Sequence, residues 1–133
     1  MTDKEYLQRA AAFAEKSPED VKCACIIVQG SRVVTAQFNS QKNDNMAINH
    51  AEIKAVVAAN YDLRSREVER ATAYCTCEPC AMCLTALSYA KIERIVFAKS
   101  MKEVFPDDPQ ADFDSQAFIK TLNFVPKLEQ ITV

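Results

Sequence analysis

The chain has no tryptophan, one glycine, one histidine and five prolines among its 133 residues. So little glycine and proline excludes collagen-like, flexible-linker and low-complexity classes. There is no run of about 18 apolar residues, so no membrane-spanning helix is expected. An excess of one charge sign is also missing. Sixteen basic residues stand against 18 acidic ones, giving a net charge of -2 and a pI near 5.4. A protein held to duplex or transfer RNA by bulk phosphate attraction carries a surplus of Lys and Arg, so nucleic acid is not the expected partner. Met1 to Lys16 lacks the uninterrupted apolar core of a secretory leader, with Asp3, Lys4, Glu5, Arg9, Glu15 and Lys16 interspersed. The expected compartment is the cytoplasm, where six cysteines seldom mean three disulfides. Clustered cysteines in such a chain point to a metal or a reactive thiol.

Without repeats, linkers or compositional breaks, residues 1–133 read as one domain. Tyr6, Leu7, Ala10, Ala11, Phe13 and Ala14 recur at helical spacing, predicting a first helix that ends near Ser17-Pro18. Cys23–Val28 and Val33–Phe38 are β-prone runs flanking Gln29-Gly30-Ser31-Arg32, which reads as a hairpin. Asn39–Asn45 is polar loop. Helices are predicted over His50–Tyr61, Pro79–Tyr89 and Asp112–Leu122, and strands over Ala71–Cys75, Arg94–Ala98 and Leu128–Val133. Two opening strands followed by alternating helix and strand imply an α/β fold, a mixed sheet with helices on both faces.

The chemistry concentrates at two predicted helix starts. The only histidine, His50, opens His50-Ala51-Glu52, and thirty positions later comes Pro79-Cys80-Ala81-Met82-Cys83. Cys80 and Cys83, three apart on a helix, present their sulfurs on one face and can chelate one ion. A helix N-terminus favours negative charge and so helps hold thiolates. One imidazole and two thiolates balance Zn²⁺ and leave a fourth position for water, the pattern of a catalytic zinc. Glu52, two residues past His50, cannot share the ligand's direction but can lie beside that water and carry protons. His-x-Glu followed by Pro-Cys-x-x-Cys is the signature of zinc deaminases acting on cytosine or adenine rings.

On these residues the chain resembles the cytidine deaminase-like superfamily, in the branch of bacterial guanine deaminases, yeast-type cytosine deaminases and tRNA adenosine deaminases. The likeness runs from about Cys25 to Val133 and is firmest at His50-Ala51-Glu52 and Thr76–Cys83. It implies a three-layer α/β/α sandwich around a five-stranded mixed sheet, a homodimer, and hydrolytic loss of ammonia from a heterocyclic amine. Asn39, eleven residues before His50, matches an asparagine that contacts the base, and the amides of Ala51 and Cys80 match positions that steady water and substrate. Ala111-Asp112-Phe113-Asp114-Ser115 is similar to the Phe-Asp-Asp-Ser stretch of guanine deaminases, aligning Asp114 with an acid that assists proton transfer. Tyr89 stands where those enzymes tend to place Trp. Three departures concern the pocket wall: Lys22-Cys23-Ala24 replaces a Pro-Phe-Gly turn, Met46-Ala47 replaces an Asp-Pro pair, and no C-terminal helical segment follows Val133.

The expected function is therefore zinc-dependent deamination of a small nucleobase or nucleoside, with guanine leading, cytosine or cytidine next, and a tRNA adenosine third. A zinc-stabilised binding domain without catalysis is the competing class, and Glu52 argues against it. Cys77, Cys80 and Cys83 also form Cys-x-x-Cys-x-x-Cys, but no fourth thiolate follows in residues 84–89 to complete an iron–sulfur loop. A closed site using Cys75 and Cys77 would leave His50 and Glu52 idle. Cys23, Cys25, Cys75 and Cys77 read as small core residues.

Overall fold

The computed structural model describes residues 1–133. Five strands form one sheet in the order β2-β1-β3-β4-β5. These are β1 (Ala24–Gln29), β2 (Arg32–Phe38), β3 (Ala71–Cys77), β4 (Arg94–Lys99) and β5 (Lys127–Gln130). β1 runs antiparallel to both β2 and β3, while β3, β4 and β5 are parallel. The hairpin turns at Gly30, whose φ of +62° is the left-handed conformation that glycine adopts without a Cβ penalty.

Alternation along the strands divides the core. Ile26, Val28, Tyr74, Val96 and Ala98 pack against Tyr6, Leu7 and Ala10 of α1 (Asp3–Ala14). On the other face Cys25, Ile27, Ala73, Cys75, Ile95 and Phe97 meet α2 (Ala51–Leu63) and α3 (Ala81–Tyr89) through Ala55, Ala59, Leu84 and Leu87. Small alanines on α2 let the helix lie close to the sheet. The result is a mixed five-stranded sheet with helices on both faces, as the pattern predicted, in the α/β/α sandwich that the resemblance implied.

Three segments differ from expectation, the simplest being the last strand, expected over Leu128–Val133 and found at Lys127–Gln130. The single helix predicted over Asp112–Leu122 is instead a 3-10 turn, Pro109–Asp112, and a short helix α5, Ser115–Ile119. The break has a local cause: the Asp108 and Asp114 side chains each cap a new start, accepting from the N–H groups of Gln110 and Ala117. A four-residue helix α4, Met101–Val104, follows β4 and was not predicted.

The expectation of unpaired cysteines is corrected at one pair: Cys23 and Cys77 form a disulfide. The β1–β3 register sets Cys25 opposite Cys75, and two residues further Cys23 faces Cys77 with 5.9 Å between Cα atoms, within the usual span for a bridge. The two are 54 residues apart in sequence, so loop-closure entropy implies a loss of about 4 kcal/mol of stability on reduction. Urea unfolding with and without reductant measures it; coincident midpoints would contradict the bridge.

Candidate functional site

His50 and Cys80 occupy the N-cap positions of α2 and α3, and neither side chain caps its helix. Ser, Thr, Asp or Asn normally fills that position and accepts from the first turn. Here both side chains are turned toward each other across the ends of the two helices, with Cys83 one turn into α3. The three edges are 3.8 Å (Cys80 Sγ to His50 Nδ1), 3.5 Å (Cys83 Sγ to His50 Nδ1) and 3.6 Å (Cys80 Sγ to Cys83 Sγ). A tetrahedral zinc with Zn–S of about 2.3 Å and Zn–N of about 2.1 Å sets its ligands about 3.6–3.8 Å apart. The donor triangle therefore fits zinc in both size and chemistry, and these three residues are the ones that could hold the ion.

The electrostatics of the metal-free triad follow from its crowding. The Cys80 thiol is pushed down to about 4, first by its hydrogen bond with Cys83 and then by His50. The Cys83 thiol is pushed well up by that same hydrogen bond to Cys80 and by burial. The two thiols are thus driven apart in acidity, and zinc ligation requires both as thiolates. The Cys80 sulfur also lies near the Cys83 N–H, which favours its ionised form. His50 is raised above its ordinary value by Cys80, against the opposing effect of burial.

Glu52 is 5% exposed. Burial lifts its carboxyl from an ordinary 4.5 to about 7, near neutrality, where a group can both take and return a proton. Together with His50, Ala51 and Cys80 it borders a cavity of about 320 Å³, at the small end of the roughly 300–1,000 Å³ of small-molecule sites.

Asn39 borders the same cavity, but its side chain is mostly committed to the fold. Its Oδ1 accepts from Ser17 Oγ (2.7 Å) and from the Cys23 N–H (2.9 Å), and its Nδ2 donates to the Val21 carbonyl (2.7 Å). One amide proton is left to offer. Lys54 of α2 donates to the Phe38 carbonyl and Ser40 Oγ at 2.8 and 2.7 Å, which docks the end of β2 beside the start of α2. Ala51, the first residue of α2, also faces the cavity.

Two residues singled out from the resemblance lie elsewhere. Tyr89 is 78% exposed; it ends α3, nine residues beyond Cys80, and a helix carries it about 13 Å from its own N-terminus. Asp114 caps α5 and borders a separate depression with Ser115. Glu78 spans the two places. Its carboxylate accepts from the Met101 N–H (2.7 Å) and from Ser115 Oγ, fixing α4 and α5 against the turn that leads into Cys80. That arrangement brings in cavity residues not foreseen from sequence: Met101, Phe105 and Gln110 line it, as do Glu19, Asp20 and Lys42. Ser100-Met-Lys-Glu103 is a capping box, so the signal for α4 was present. Nothing local marks Glu19, which reaches the loop after β2 by accepting from the N–H groups of Lys42 and Asn43.

A His–Cys–Cys triad beside a buried acid, on the helix starts of an α/β/α sandwich, is the arrangement of a zinc-dependent deaminase. Residues 1–99 match the family described as the cytidine and deoxycytidylate deaminase zinc-binding region, and the chain belongs to it. The tRNA-specific adenosine deaminase of Streptococcus pyogenes serotype M18 is 31% identical over 97 residues, covering 71% of this chain and 61% of the relative. The chain thus spans about three-fifths of the length of that curated relative. Among solved structures, one from a study of tRNA:A34 deaminases superimposes with a TM-score of 0.77 at 25% identity, covering 96% of this chain and 89% of its own. Guanine deaminase from Bacillus subtilis gives 0.71 at 25% identity, with 90% and 76% covered. Zinc is the metal of the family, and the protein has no helix long and apolar enough to cross a membrane.

Proposed function

We propose that this chain is a cytoplasmic enzyme that hydrolytically deaminates a small, uncharged aminoheterocycle of the guanine type, releasing ammonia. The observation that carries this reading is the donor triangle with zinc-sized edges beside the buried Glu52. His50, Cys80 and Cys83 would hold the ion, and bound zinc supplies a Lewis acid that activates water at neutral pH. Glu52 takes one proton from the attacking water and delivers it to the ring nitrogen, then carries the remaining hydroxyl proton to the departing amine. The amides at Ala51 and Cys80 and the free proton of Asn39 orient the ring.

The cavity's charge favours a neutral base over a nucleotide. Glu19, Asp20 and Glu78 border it against one cation, Lys42, and such a field repels phosphate. The likeness to tRNA-specific adenosine deaminases supports a second reading, an adenosine within tRNA; cytosine or cytidine is a third. A homodimer belongs to this proposal: Val57 and Tyr61 of α2 are exposed at 50% and 81%, and Tyr89 of α3 is exposed as well, large apolar side chains that suit a subunit contact. A monomeric mass in solution would remove it.

The deciding assay is ammonia release by zinc-loaded protein over guanine, cytosine, cytidine, deoxycytidine, adenine, adenosine, amino-triazines and pterins. Guanine is expected to react. Silence on these compounds with inosine formed in tRNA would favour the second reading, and silence on both would favour a zinc-stabilised binding domain.

A further inference from the structure

Four of the six cysteines are left unexplained by the zinc triad, and they fall into two facing pairs, Cys25 of β1 with Cys75 of β3, and Cys23, just before β1, with Cys77 at the end of β3. The inner pair, Cys25 and Cys75, is sealed in the core at 0% exposure with sulfurs 3.8 Å apart. The outer pair, Cys23 and Cys77, is bridged, half-buried, and part of the wall of the same cavity that holds His50, Glu52 and Cys80.

We propose that the Cys23–Cys77 bridge is a thiol-exchange site set in the substrate cavity, opened by small thiols, cationic ones ahead of anionic ones. The chemistry balances with the thiol as reductant. A first thiolate attacks one bridge sulfur, forming a mixed disulfide and releasing the other as a thiolate that is then protonated. A second thiol attacks the mixed disulfide, freeing the remaining cysteine and leaving as the oxidised small-molecule disulfide. Two electrons and two protons pass from two thiols to Cys23 and Cys77.

Placement gives this exchange its selectivity and its effect. A 320 Å³ cavity admits a small thiol but not the active dithiol of a protein the size of thioredoxin. Glu19, Asp20 and Glu78, set against Lys42 alone, attract a cationic thiol and repel a carboxylate-bearing one. Cys23 donates its N–H to Asn39 Oδ1, and Asn39 in turn holds the Val21 carbonyl, so the bridge ties the Val21–Cys23 wall and its asparagine to β3. Opening it loosens a wall that orients the ring. The zinc ligands and Glu52 stand on the separate starts of α2 and α3. This last effect rests on reading the cavity as the base site; the exchange chemistry does not.

The test uses the zinc-loaded parent chain prepared without reductant, with zinc content followed throughout. Unfolded in denaturant, it should show four reactive thiols, rising to six after cysteamine treatment. Rates with cysteamine, mercaptoacetate and reduced thioredoxin, each divided by the rate on an exposed peptide disulfide, should place cysteamine about tenfold or more ahead of both. At about 1 M salt, where charges are screened beyond about 3 Å, the two small thiols should converge while thioredoxin stays slow. Reduction should raise KM several-fold at constant zinc and kcat, and Cys23→Ser should show the raised KM without reductant. Six thiols at the outset, or equal normalised rates, would overturn the exchange site whether or not any base is turned over. An unchanged KM in a working enzyme would overturn its coupling to the ring.

Discussion

Glu52→Gln, loaded with zinc, is expected to keep its metal and lose about 10²–10⁴-fold in turnover, the range that a positioned proton carrier supplies. The carboxamide has the shape of the acid but cannot take a proton from water. The same change should make the metal-free fold more stable, and the pH at which it does so follows from the environment of Glu52. Its carboxyl rises from 4.5 to about 7 because burial penalises the charge. Below pH 4.5 the group is protonated folded or unfolded and costs nothing. Between pH 4.5 and 7 the unfolded chain ionises while the folded one resists, so stability falls. Above pH 7 the full penalty, on the order of 3 kcal/mol, is present. Urea unfolding of metal-free parent and variant should therefore diverge from pH 5 to pH 8, with the variant ahead. A variant that turned over like the parent, or was less stable at pH 8, would remove Glu52 from the role assigned to it.

Cys80→Ser should cost the zinc, and with it all measurable deamination, because a hard hydroxyl replaces a soft thiolate in a three-residue donor set. Yet Cys80 stands at an N-cap without capping its helix, and serine is among the best residues for that position, by about 0.5–2 kcal/mol over a residue that cannot cap. Metal-free Cys80→Ser is thus expected to unfold at higher denaturant than the metal-free parent while binding no zinc. Elemental analysis beside an unfolding curve checks both halves. Full zinc occupancy would remove Cys80 from the donor set; a less stable metal-free variant would contradict the uncapped reading.

These two residues also mark what was legible beforehand. The metal set could be read because each part is local: Cys80 and Cys83 share one helical turn, and His50-Ala51-Glu52 starts another. Alternation and helical spacing likewise gave β1, β3, β4, α1, α2 and α3 nearly in full. What stayed hidden depends on contacts distant in sequence. The Cys23–Cys77 bridge follows from the β1–β3 register, which no segment of 20 residues contains. Asn39 was singled out by its offset from His50, but its three internal hydrogen bonds run to Ser17, Val21 and Cys23. Tyr89 was assigned by resemblance of a helix, where the identity of the helix says little about which end a cavity lies on. The wall made by Met101 and Phe105 depends on Glu78 gathering two short helices too brief to register as periodic patterns.

The far end of the sheet has a different character. At the start of β4, Arg94 donates to Asp3 of α1 and Glu129 of β5, each at 2.8 Å, while Lys99 at the other end of the strand accepts the Glu78 N–H beside the cavity. Five residues of strand, about 17 Å, separate the two. Clasp and chemistry can therefore drift on independent schedules. A lineage could exchange the Asp3–Arg94–Glu129 cluster for apolar packing, or lengthen the α1 end to dock a new neighbour, without disturbing the reaction. For an engineer, that end is the handle by which to immobilise, fuse or harden the protein.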